Sequence, residues 1–431
     1  MMLKTFLSKK NISHLKRECI AGLTTFLTMS YILAVNPLIL GSTGMDKGAV
    51  FVATCLAAAL GSFLMGALAN YPIALAPSMS LNIYFAYIVV GQLAYSWQIT
   101  LGAVFISGCL FAMMTFIGVR QWLIHFLPFS LKIGIMSGIG FFLALIGLKN
   151  LNLIGLHPHL FFDFSHFFQI EVLLALLGLF LIFILERYHV IGAIFISILI
   201  ITGLGILFHL VSFSGIIAAP PSLKPIFLKL QFPDIFDLKL MFATLIFLFV
   251  ALFDNTGTLI AVLSQAKLIS ENGKIKKLPQ ALFADSLANI VGALLGTSST
   301  GSYIESATGV RAGGRTGLTA IVVSFFFLLS LGFAPLINMI PPYASSPALI
   351  YVAFLMSKNL KYLFTTELIE LIPGLITAFA IPLSFSIATG VTLGFLSHAV
   401  LIVLTNRREK ISWGIGFLTF LSFLYLILQF T

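Results

Sequence analysis

The chain has 431 residues, of which 59% are hydrophobic and 9% charged. A soluble globular domain carries about 25% charged residues, so this composition excludes an ordinary water-soluble protein and indicates helices that cross a lipid bilayer. The formal net charge of +10 comes from basic residues in predicted loops and gives no reason to expect nucleic-acid binding. The three cysteines, Cys19, Cys55 and Cys109, have neither disulfide nor metal-ligand spacing.

Apolar runs of spanning length recur from residue 20 almost to the C-terminus and predict fourteen membrane segments. The predicted segments are residues 20–41, 49–69, 73–95, 99–118, 131–148, 170–185, 189–210, 240–263, 279–296, 299–312, 316–337, 346–357, 369–386 and 389–404. With a cytoplasmic N-terminus, most of the 24 Lys and Arg residues lie in inner loops, as the positive-inside rule requires. The apolar stretch 412–430 fits either an extra span or an interfacial helix.

An internal repeat is visible in segments 2 and 9. Residues 53–64 (ATCLAAALGSFL) align with residues 284–295 (ADSLANIVGALL) at a constant offset of 231. Each is followed by a segment interrupted by Gly, Pro or Ser, ALAPSMSLNIYFAY in one half and GTSSTGSYIESATG in the other. Equivalent segments are seven spans apart, an odd number, so the two halves have opposite orientations. Paired broken segments in inverted repeats are typical of secondary transporters.

Three acidic residues lie inside predicted spans: Asp254, Asp285 and Glu305. Each costs about 2.5–3.5 kcal/mol at the centre of a spanning helix and therefore needs an explanation. Asp285 lies near a basic inner loop, which favours a structural role. Asp254 and Glu305 are flanked by Thr, Ser and Gly, and a carboxylate partly withdrawn from water can take up a proton near neutral pH. We interpret these two residues as functional and suited to coupling with a proton gradient.

Other residues near the broken segments are candidate ligand contacts. Asn82 offers an amide that both donates and accepts hydrogen bonds. Thr24 and Thr28 offer hydroxyls, although such hydroxyls also bond back to their own helix. Phe253 and Tyr303 could sandwich a planar ligand or simply pack. The sequence contains neither a G-x-x-x-x-G-K-[ST] phosphate loop nor an H-E-x-x-H motif, so we expect no ATP-driven step, no metal, no cofactor and no enzymatic activity.

Several motifs carry a resemblance to a known family. RECIAGLTTFLTMSYILAVNP, VALFDNTGTL and GALLGTSSTGSYIESATGVRAGGRTGLTA resemble the nucleobase:cation symporter-2 family, and within it the azaguanine-resistance branch of hypoxanthine/guanine or adenine permeases. The likeness runs from residue 17 to about 405. It implies a seven-plus-seven inverted repeat with short strands in segments 3 and 10. It also implies that acidic residues of segments 8 and 10, here Asp254 and Glu305, contact the base.

The resemblance further implies a core domain of segments 1–4 and 8–11 and a gate domain of segments 5–7 and 12–14. The chain then divides into a basic cytoplasmic N-terminal segment, the first core half, the first gate half, an extracytoplasmic linker, the second core half, the second gate half and a C-terminal segment. The boundaries are 1–19 (N-terminal segment), 20–118 (first core half), 119–210 (first gate half), 211–239 (linker), 240–337 (second core half), 338–404 (second gate half) and 405–431 (C-terminal segment).

Among the positions that differ from the pattern of the branch, which usually reads APGMGLN, FDTTGT and TSTTTSYVES, four change the character of the side chain. Ser78 and Ser80 replace glycines, and Asn255 and Gly301 stand where threonines are usual. Added side chains beside the expected site could narrow it or add a hydrogen bond. The departures leave transport expected and the identity of the purine open.

These observations predict an all-α polytopic protein of the cell (inner) membrane that imports a purine nucleobase with protons by alternating access. Glu305 and Asp254 are the predicted proton-coupling residues. The predicted substrate site comprises Asp254, Glu305, Asn82, Thr24, Thr28, Ser78, Met79, Ser80, Phe253, Thr256, Ser302 and Tyr303. The expected partners are the purine, protons and the bilayer, with no nucleic acid, and homodimer formation is left open. The alternatives are a carrier of the same fold for uracil, xanthine or an inorganic anion, and a channel.

Overall fold

The computed structural model describes residues 9–118, 128–154, 167–232, 237–268, 275–384 and 387–405, with the short pieces 414–416, 419–420 and 422–423. Most of the described chain is helical. The helices are α1 (Lys9–Met29), α2 (Ile32–Gly41), α3 (Lys47–Leu64), α4 (Met79–Ile83), α5 (Trp97–Ile117), α6 (Phe129–Asn150), α7 (Ile170–Arg187), α8 (Ala193–Leu207), α9 (Leu238–Gln265), α10 (Leu278–Leu295), α11 (Ser306–Arg311), α12 (Gly317–Leu329), α13 (Ala334–Asn338), α14 (Pro342–Ser357), α15 (Leu368–Ser384) and α16 (Ile387–Leu404). The strands are β1 (Leu75–Pro77) and β2 (Thr300–Ser302).

The chain is a multi-pass membrane protein. In its described part, seven helices are long and apolar enough to cross a bilayer, and shorter apolar helices accompany them. The seven are His14–Gly41, Lys47–Ala69, Trp97–Ile117, Phe129–Asn150, Leu238–Gln265, Leu278–Leu295 and Gly317–Asn338. This confirms the expected helical membrane fold. The predicted C-terminal segment, including the choice between span and interfacial helix for 412–430, lies almost wholly outside the described residues.

The first predicted span differs in detail from the structure. We expected one helix over 20–41, whereas α1 begins at Lys9 and a turn at Ser30 and Tyr31 separates it from α2. Pro37 lies inside α2 and cannot donate a backbone hydrogen bond to the preceding turn, which weakens this region of the span. The turn places Tyr31 at the start of α2, where its side chain is buried.

The repeat seen in the sequence is also present in the helices. Helix α10 begins and ends 231 residues after α3, and both have 18 residues. Each helix is followed by a residue in the left-handed conformation, Asn70 after the π-helical turn that extends α3 and Gly296 after α10. At the strands the offset falls to 225, because the connection from α10 to β2 is shorter than the connection from α3 to β1.

The two strands pair antiparallel across the repeat. Ala76 faces Gly301 at the centre of the pair, and these residues are themselves 225 positions apart, as equivalents in the repeat should be. Backbone groups beyond the ladder are also bonded, since Ser78 N–H donates to Ser299 O at 2.8 Å and Tyr303 N–H donates to Ala74 O at 3.0 Å. Extended backbone at membrane depth requires such pairing, because lipid offers no hydrogen-bond partners.

The chain falls into two compact units, Met1–Ile117 with Phe183–Pro341 and Gly118–Ile182 with Pro342–Thr431. The first contains the strand pair. In the second, α6 packs closely on α15, and a Cβ at Gly134 would lie 2.5 Å from Gly374 O. Small residues permit this close approach of membrane helices. The expected division into core and gate domains stays a prediction, because compactness does not tell which segments move.

Loop contacts fix the start of α9, the helix that carries Asp254. The Asp237 carboxylate caps α9 by accepting hydrogen bonds from the backbone N–H groups of Lys239 and Leu240. It also accepts a hydrogen bond from the Tyr95 hydroxyl. Burial, together with this bond to Asp237, raises the pKa of Tyr95 to about 12. The loop before α5 is therefore tied to the N-terminus of α9.

Glu18, a residue that the sequence did not single out, ties α1 to the N-terminus of α12. Its side chain is 1% exposed. The carboxylate accepts hydrogen bonds from the backbone N–H of Arg315 at 3.0 Å and from the hydroxyl of Thr319. A negative charge beside a helix N-terminus is also favoured by the helix dipole.

Replacing Glu18 with alanine should destabilise the fold, because it leaves the backbone N–H of Arg315 and the buried hydroxyl of Thr319 without their acceptor. We expect the free energy of unfolding to fall by about 1–3 kcal/mol. Thermal unfolding of purified protein in detergent measures this effect as a lowered Tm. The control is Glu186→Ala, which changes an exposed glutamate and should leave Tm unchanged. Equal Tm values for both variants and the unmodified protein would show that the Glu18 contacts do not contribute.

Candidate functional site

The strand pair brings the two broken segments to one place. Tyr303, directly after β2, is buried, and its hydroxyl donates to the carbonyl oxygen of Pro77 at the end of β1 at 2.6 Å. Helices α4 and α11 begin beyond the two strands. The side chains at these strand ends and helix starts include most of the residues that the sequence predicts for the site.

Asp254 lies in the middle of α9 and contacts the first broken segment. Its Oδ2 accepts hydrogen bonds from Ser80 Oγ at 2.7 Å and Ser78 Oγ at 3.0 Å. The two serine hydroxyls are themselves 2.9 Å apart. Both serines are buried, whereas Asp254 keeps part of its surface exposed. Ser78 and Ser80, which stand where the resemblance implies glycines, therefore both donate to the same carboxylate oxygen.

Glu305 immediately precedes α11 and contacts the first membrane segment. Its Oε1 accepts a hydrogen bond from the Tyr31 hydroxyl at 2.7 Å. Like Asp254, Glu305 is partly exposed, while Tyr31 is 1% exposed. The sequence did not indicate Tyr31 as a site residue. The available signal was a phenolic hydroxyl within a predicted membrane span, next to the Ser30 that follows α1.

The two carboxylate contacts are related by the inverted repeat. Asp254 joins segment 8 to segment 3, and Tyr31 with Glu305 joins segment 1 to segment 10. Segment 8 is the counterpart of segment 1, and segment 10 is the counterpart of segment 3. Moreover, Ser80 and Glu305 are 225 residues apart, which is the offset of the strands. Both carboxylates belong to the second half, and each accepts its hydrogen bonds from hydroxyl groups of the first half.

The two carboxylates also lie close enough to interact with each other. The charge of Asp254 acts on Glu305, and both charges act on Tyr303. Two negative charges that interact in an apolar environment repel each other, and the uptake of one proton relieves the repulsion. The arrangement can therefore bind a proton and, through the remaining carboxylate, a hydrogen-bond donor.

Further polar atoms surround the strands. Asn82 accepts a hydrogen bond from Ser298 through its Oδ1, while its buried Nδ2 has no partner among the described residues. The buried hydroxyls of Thr300 and Ser302 are likewise without a partner in that part of the chain. Buried polar groups are usually paired, so these atoms are available to a ligand or to ordered water. Met79 is 7% exposed and lies at the start of α4.

The two predicted threonines of α1 donate their hydroxyl protons to their own helix. Thr24 Oγ1 donates to Ile20 O at 2.8 Å. Thr28 Oγ1 lies within hydrogen-bonding distance of Thr25 O, at 2.8 Å, and of Thr308 Oγ1 on α11, at 3.0 Å. These hydrogen bonds use the hydroxyl protons, so only the lone pairs of the hydroxyl oxygens remain for a ligand. Their role in binding stays a prediction. The side chains of Phe253 and Thr256 lie outside the described residues.

Asp285 is 1% exposed and is engaged within the protein. Its Oδ1 accepts a hydrogen bond from Asn255 Nδ2 at 3.1 Å. This contact supports the structural role that its position in the sequence suggested. Among the described residues, no group of three or more His, Cys, Asp or Glu side chains is arranged to hold a metal ion.

Comparison with known proteins identifies the family. A family model described as "Permease family" matches residues 16–393. The chain belongs to the nucleobase:cation symporter-2 permeases. Adenine permease AdeP of Escherichia coli (strain K12) is 43% identical over 96% of this permease and 93% of its own length. Guanine/hypoxanthine permease PbuG of Bacillus subtilis (strain 168) is 39% identical over 95% of this permease and 97% of its own length.

The permease also shares its fold with solved membrane transporters. The transmembrane domain of the cyanobacterial bicarbonate transporter BicA superposes with a TM-score of 0.68, covering 90% of this permease and 98% of that domain. The sequences are 15% identical, so the likeness is one of fold alone. Membership of the permease family makes this chain a transporter and not an enzyme.

Proposed function

We propose that this permease imports a purine nucleobase by proton symport and alternating access. We place it in the cell (inner) membrane with a cytoplasmic N-terminus, in line with the distribution of its basic residues. One observation carries the proposal: the carboxylates of Asp254 and Glu305 both lie where the broken segments of the two halves meet. Relatives named adenine and guanine/hypoxanthine permeases match nearly the whole chain, which supports a purine as cargo.

Asp254 is the proposed acceptor for an N–H group of the base. Its Oδ2 is bound by Ser78 and Ser80, and hydrogen bonds to the charged form of a carboxylate favour that form. Its Oδ1 accepts no hydrogen bond from the described residues and is free for the substrate. A charge-assisted bond of this kind contributes about 1.5–3 kcal/mol to binding.

Glu305 is the proposed carrier of the coupled proton. It has one hydroxyl donor, Tyr31, where Asp254 has two, so a proton shared between the two carboxylates is held better on Glu305. Protonated Glu305 can donate a hydrogen bond to an unprotonated ring nitrogen. Proton and base then favour the same state of the transporter, because the proton both removes the repulsion and turns Glu305 into a hydrogen-bond donor for the base.

A purine suits such a pair because its ring edges place N–H donors beside nitrogen lone pairs. An ionised Asp254 accepts from the donor while protonated Glu305 donates to the lone pair. Asn82 and Ser302 supply further polar atoms, and Tyr303 supplies a ring at the strand end. Alternating access then follows from movement of the proposed core, residues 20–118 and 240–337, against the proposed gate, residues 119–210 and 338–404.

The rival cargoes are uracil, xanthine and an inorganic anion. An anion carrier relies on helix N-termini and cationic groups, whereas two carboxylates at the broken segments repel an anion. The rival mechanism is a channel, for which voltage-clamped proteoliposomes would show unitary conductance.

Uptake by proteoliposomes tests the proposed function. Labelled hypoxanthine, guanine, adenine, xanthine and uracil are offered with and without an inward proton gradient, and with a protonophore as control. We expect accumulation of at least one purine that requires the gradient. Uptake of no purine, or uptake that is indifferent to the gradient, refutes the proposal.

Replacing Tyr31 with phenylalanine should slow this uptake without removing it. The change deletes the hydroxyl donor to Glu305 and keeps the buried ring. A hydrogen bond to a charged group is worth about 1.5 kcal/mol at the low end, so we expect about a tenfold lower uptake rate. Tyr188→Phe, at a tyrosine that is 76% exposed, is the matched control and should match the unmodified protein. An unchanged rate in Tyr31→Phe would mean that the Tyr31 bond has no part in transport.

A further inference from the structure

Gly301 lies at the centre of β2, and its backbone does not require glycine. Its φ is outside the left-handed region, and it pairs with Ala76 in an ordinary antiparallel register. The reason for glycine at this position is therefore steric. A Cβ at Gly301 would lie 2.5 Å from Asn255 Cγ and 2.8 Å from Asn255 Nδ2, and closer still to Asn255 Oδ1. Real Cβ atoms essentially never approach other atoms within 3.0 Å.

All three of the nearest atoms belong to the side chain of Asn255, which follows Asp254 on α9. Asn255 is 1% exposed, so its amide cannot turn into water. Its Nδ2 donates to Asp285 Oδ1 on α10 at 3.1 Å and approaches Thr300 O of β2 at 3.5 Å. Moving the amide to make room at residue 301 would remove a donor from a buried carboxylate, which is costly.

We propose that Asn255 and Gly301 are a matched positioning pair that sets the spacing of Asp254 and Glu305. The asparagine fills the space that a side chain on β2 would take, and its amide joins α9, α10 and β2. Asp254 is the residue before Asn255, and Glu305 is four residues after Gly301. A side chain at residue 301 pushes β2 away from α9 and so separates the two carboxylates.

The pairing also explains why two of the departures from the family pattern occur together. In the pattern that the resemblance implies, threonine stands at both positions, and its side chain is shorter than that of asparagine. Threonine at 255 lacks the Oδ1 and Nδ2 atoms that lie against a Cβ at 301, and its two γ atoms can take rotamer positions away from the one that Asn255 Cγ occupies. The inference rests on the proposed function for its uptake measurements and on the structure alone for its stability measurements.

A double-mutant cycle tests the pair. Gly301→Thr, Asn255→Thr and the double variant are compared with the unmodified protein for KM and maximal rate of purine uptake and for Tm in detergent. We expect Gly301→Thr to raise KM at least tenfold and to lower Tm. The double variant should recover at least half of the lost Tm and bring KM to within about threefold of the unmodified value. Such rescue is the signature of coupled residues.

If Gly301→Thr does not reach the membrane, the smaller substitution Gly301→Ala replaces it. The control is Gly203→Ala, because nothing lies within 4 Å of a Cβ at Gly203. A Gly301→Ala protein that transports and melts like Gly203→Ala overturns the proposal. A double variant no better than Gly301→Thr also overturns it. If the unmodified protein takes up no purine, the proposed function fails, while the Tm cycle still decides whether the two residues are coupled.

Discussion

Replacing Glu305 with glutamine is expected to abolish accumulation of the purine against its gradient while leaving exchange of labelled for unlabelled purine intact. Glutamine keeps the length of the side chain and an oxygen that accepts from Tyr31, but it cannot take up or release the coupled proton. The amide resembles the protonated state, which in the proposed mechanism binds the base. The carrier therefore still binds and moves its cargo but no longer draws on the proton gradient.

Two proteoliposome assays separate these effects for Glu305→Gln. In the gradient-driven assay, the ratio of internal to external purine should fall to unity. In the exchange assay, counterflow should remain within a few-fold of the unmodified protein. Glu186→Gln, at an exposed glutamate, is the matched control and should behave normally in both assays. Full accumulation by Glu305→Gln would remove Glu305 from the coupling step.

Replacing Asp254 with asparagine is expected to impair both assays equally, because it weakens binding of the base. The substitution exchanges a charged acceptor for a neutral one at the position bound by Ser78 and Ser80. The loss of a charge-assisted hydrogen bond, about 1.5–3 kcal/mol, corresponds to a KM about 10–100-fold higher. Exchange and gradient-driven uptake should show the same increase in KM, and the amount of protein in the membrane should not change.

The contrast between the two variants is the informative result. If Asp254→Asn keeps its KM but loses accumulation, the roles assigned to the two carboxylates have to be exchanged. Saturating purine should restore most of the maximal rate in Asp254→Asn and none of the accumulation in Glu305→Gln.

The sequence predicted much of the fold because its local signals are strong. Long apolar runs located the spans, and the offset of 231 seen in the sequence is the offset between α3 and α10 in the structure. The clusters of Gly, Pro and Ser marked the broken segments that contain β1 and β2. The break between α1 and α2 was missed, because the apolar pattern continues across Ser30 and Tyr31 without interruption.

The contacts within the site could not be predicted in the same way. Tyr31 and Glu305 are 274 residues apart, and Ser80 and Asp254 are 174 residues apart, so only the folded chain shows that they meet. The close approach of the Asn255 side chain to Gly301 is likewise invisible in a single sequence. The roles of the predicted site residues in binding stay predictions, and those of Thr24 and Thr28 have to accommodate hydroxyls that already bond to α1.

The most direct test of the account is proton movement driven by the purine itself. Proteoliposomes with an internal pH dye and no initial pH gradient receive a purine that the uptake panel has identified as a substrate. Symport through Glu305 predicts that the lumen acidifies as purine enters. Glu305→Gln should admit purine only in exchange for internal purine, without any change in the pH of the lumen. Entry of purine into proteoliposomes of the unmodified protein without acidification would contradict proton symport.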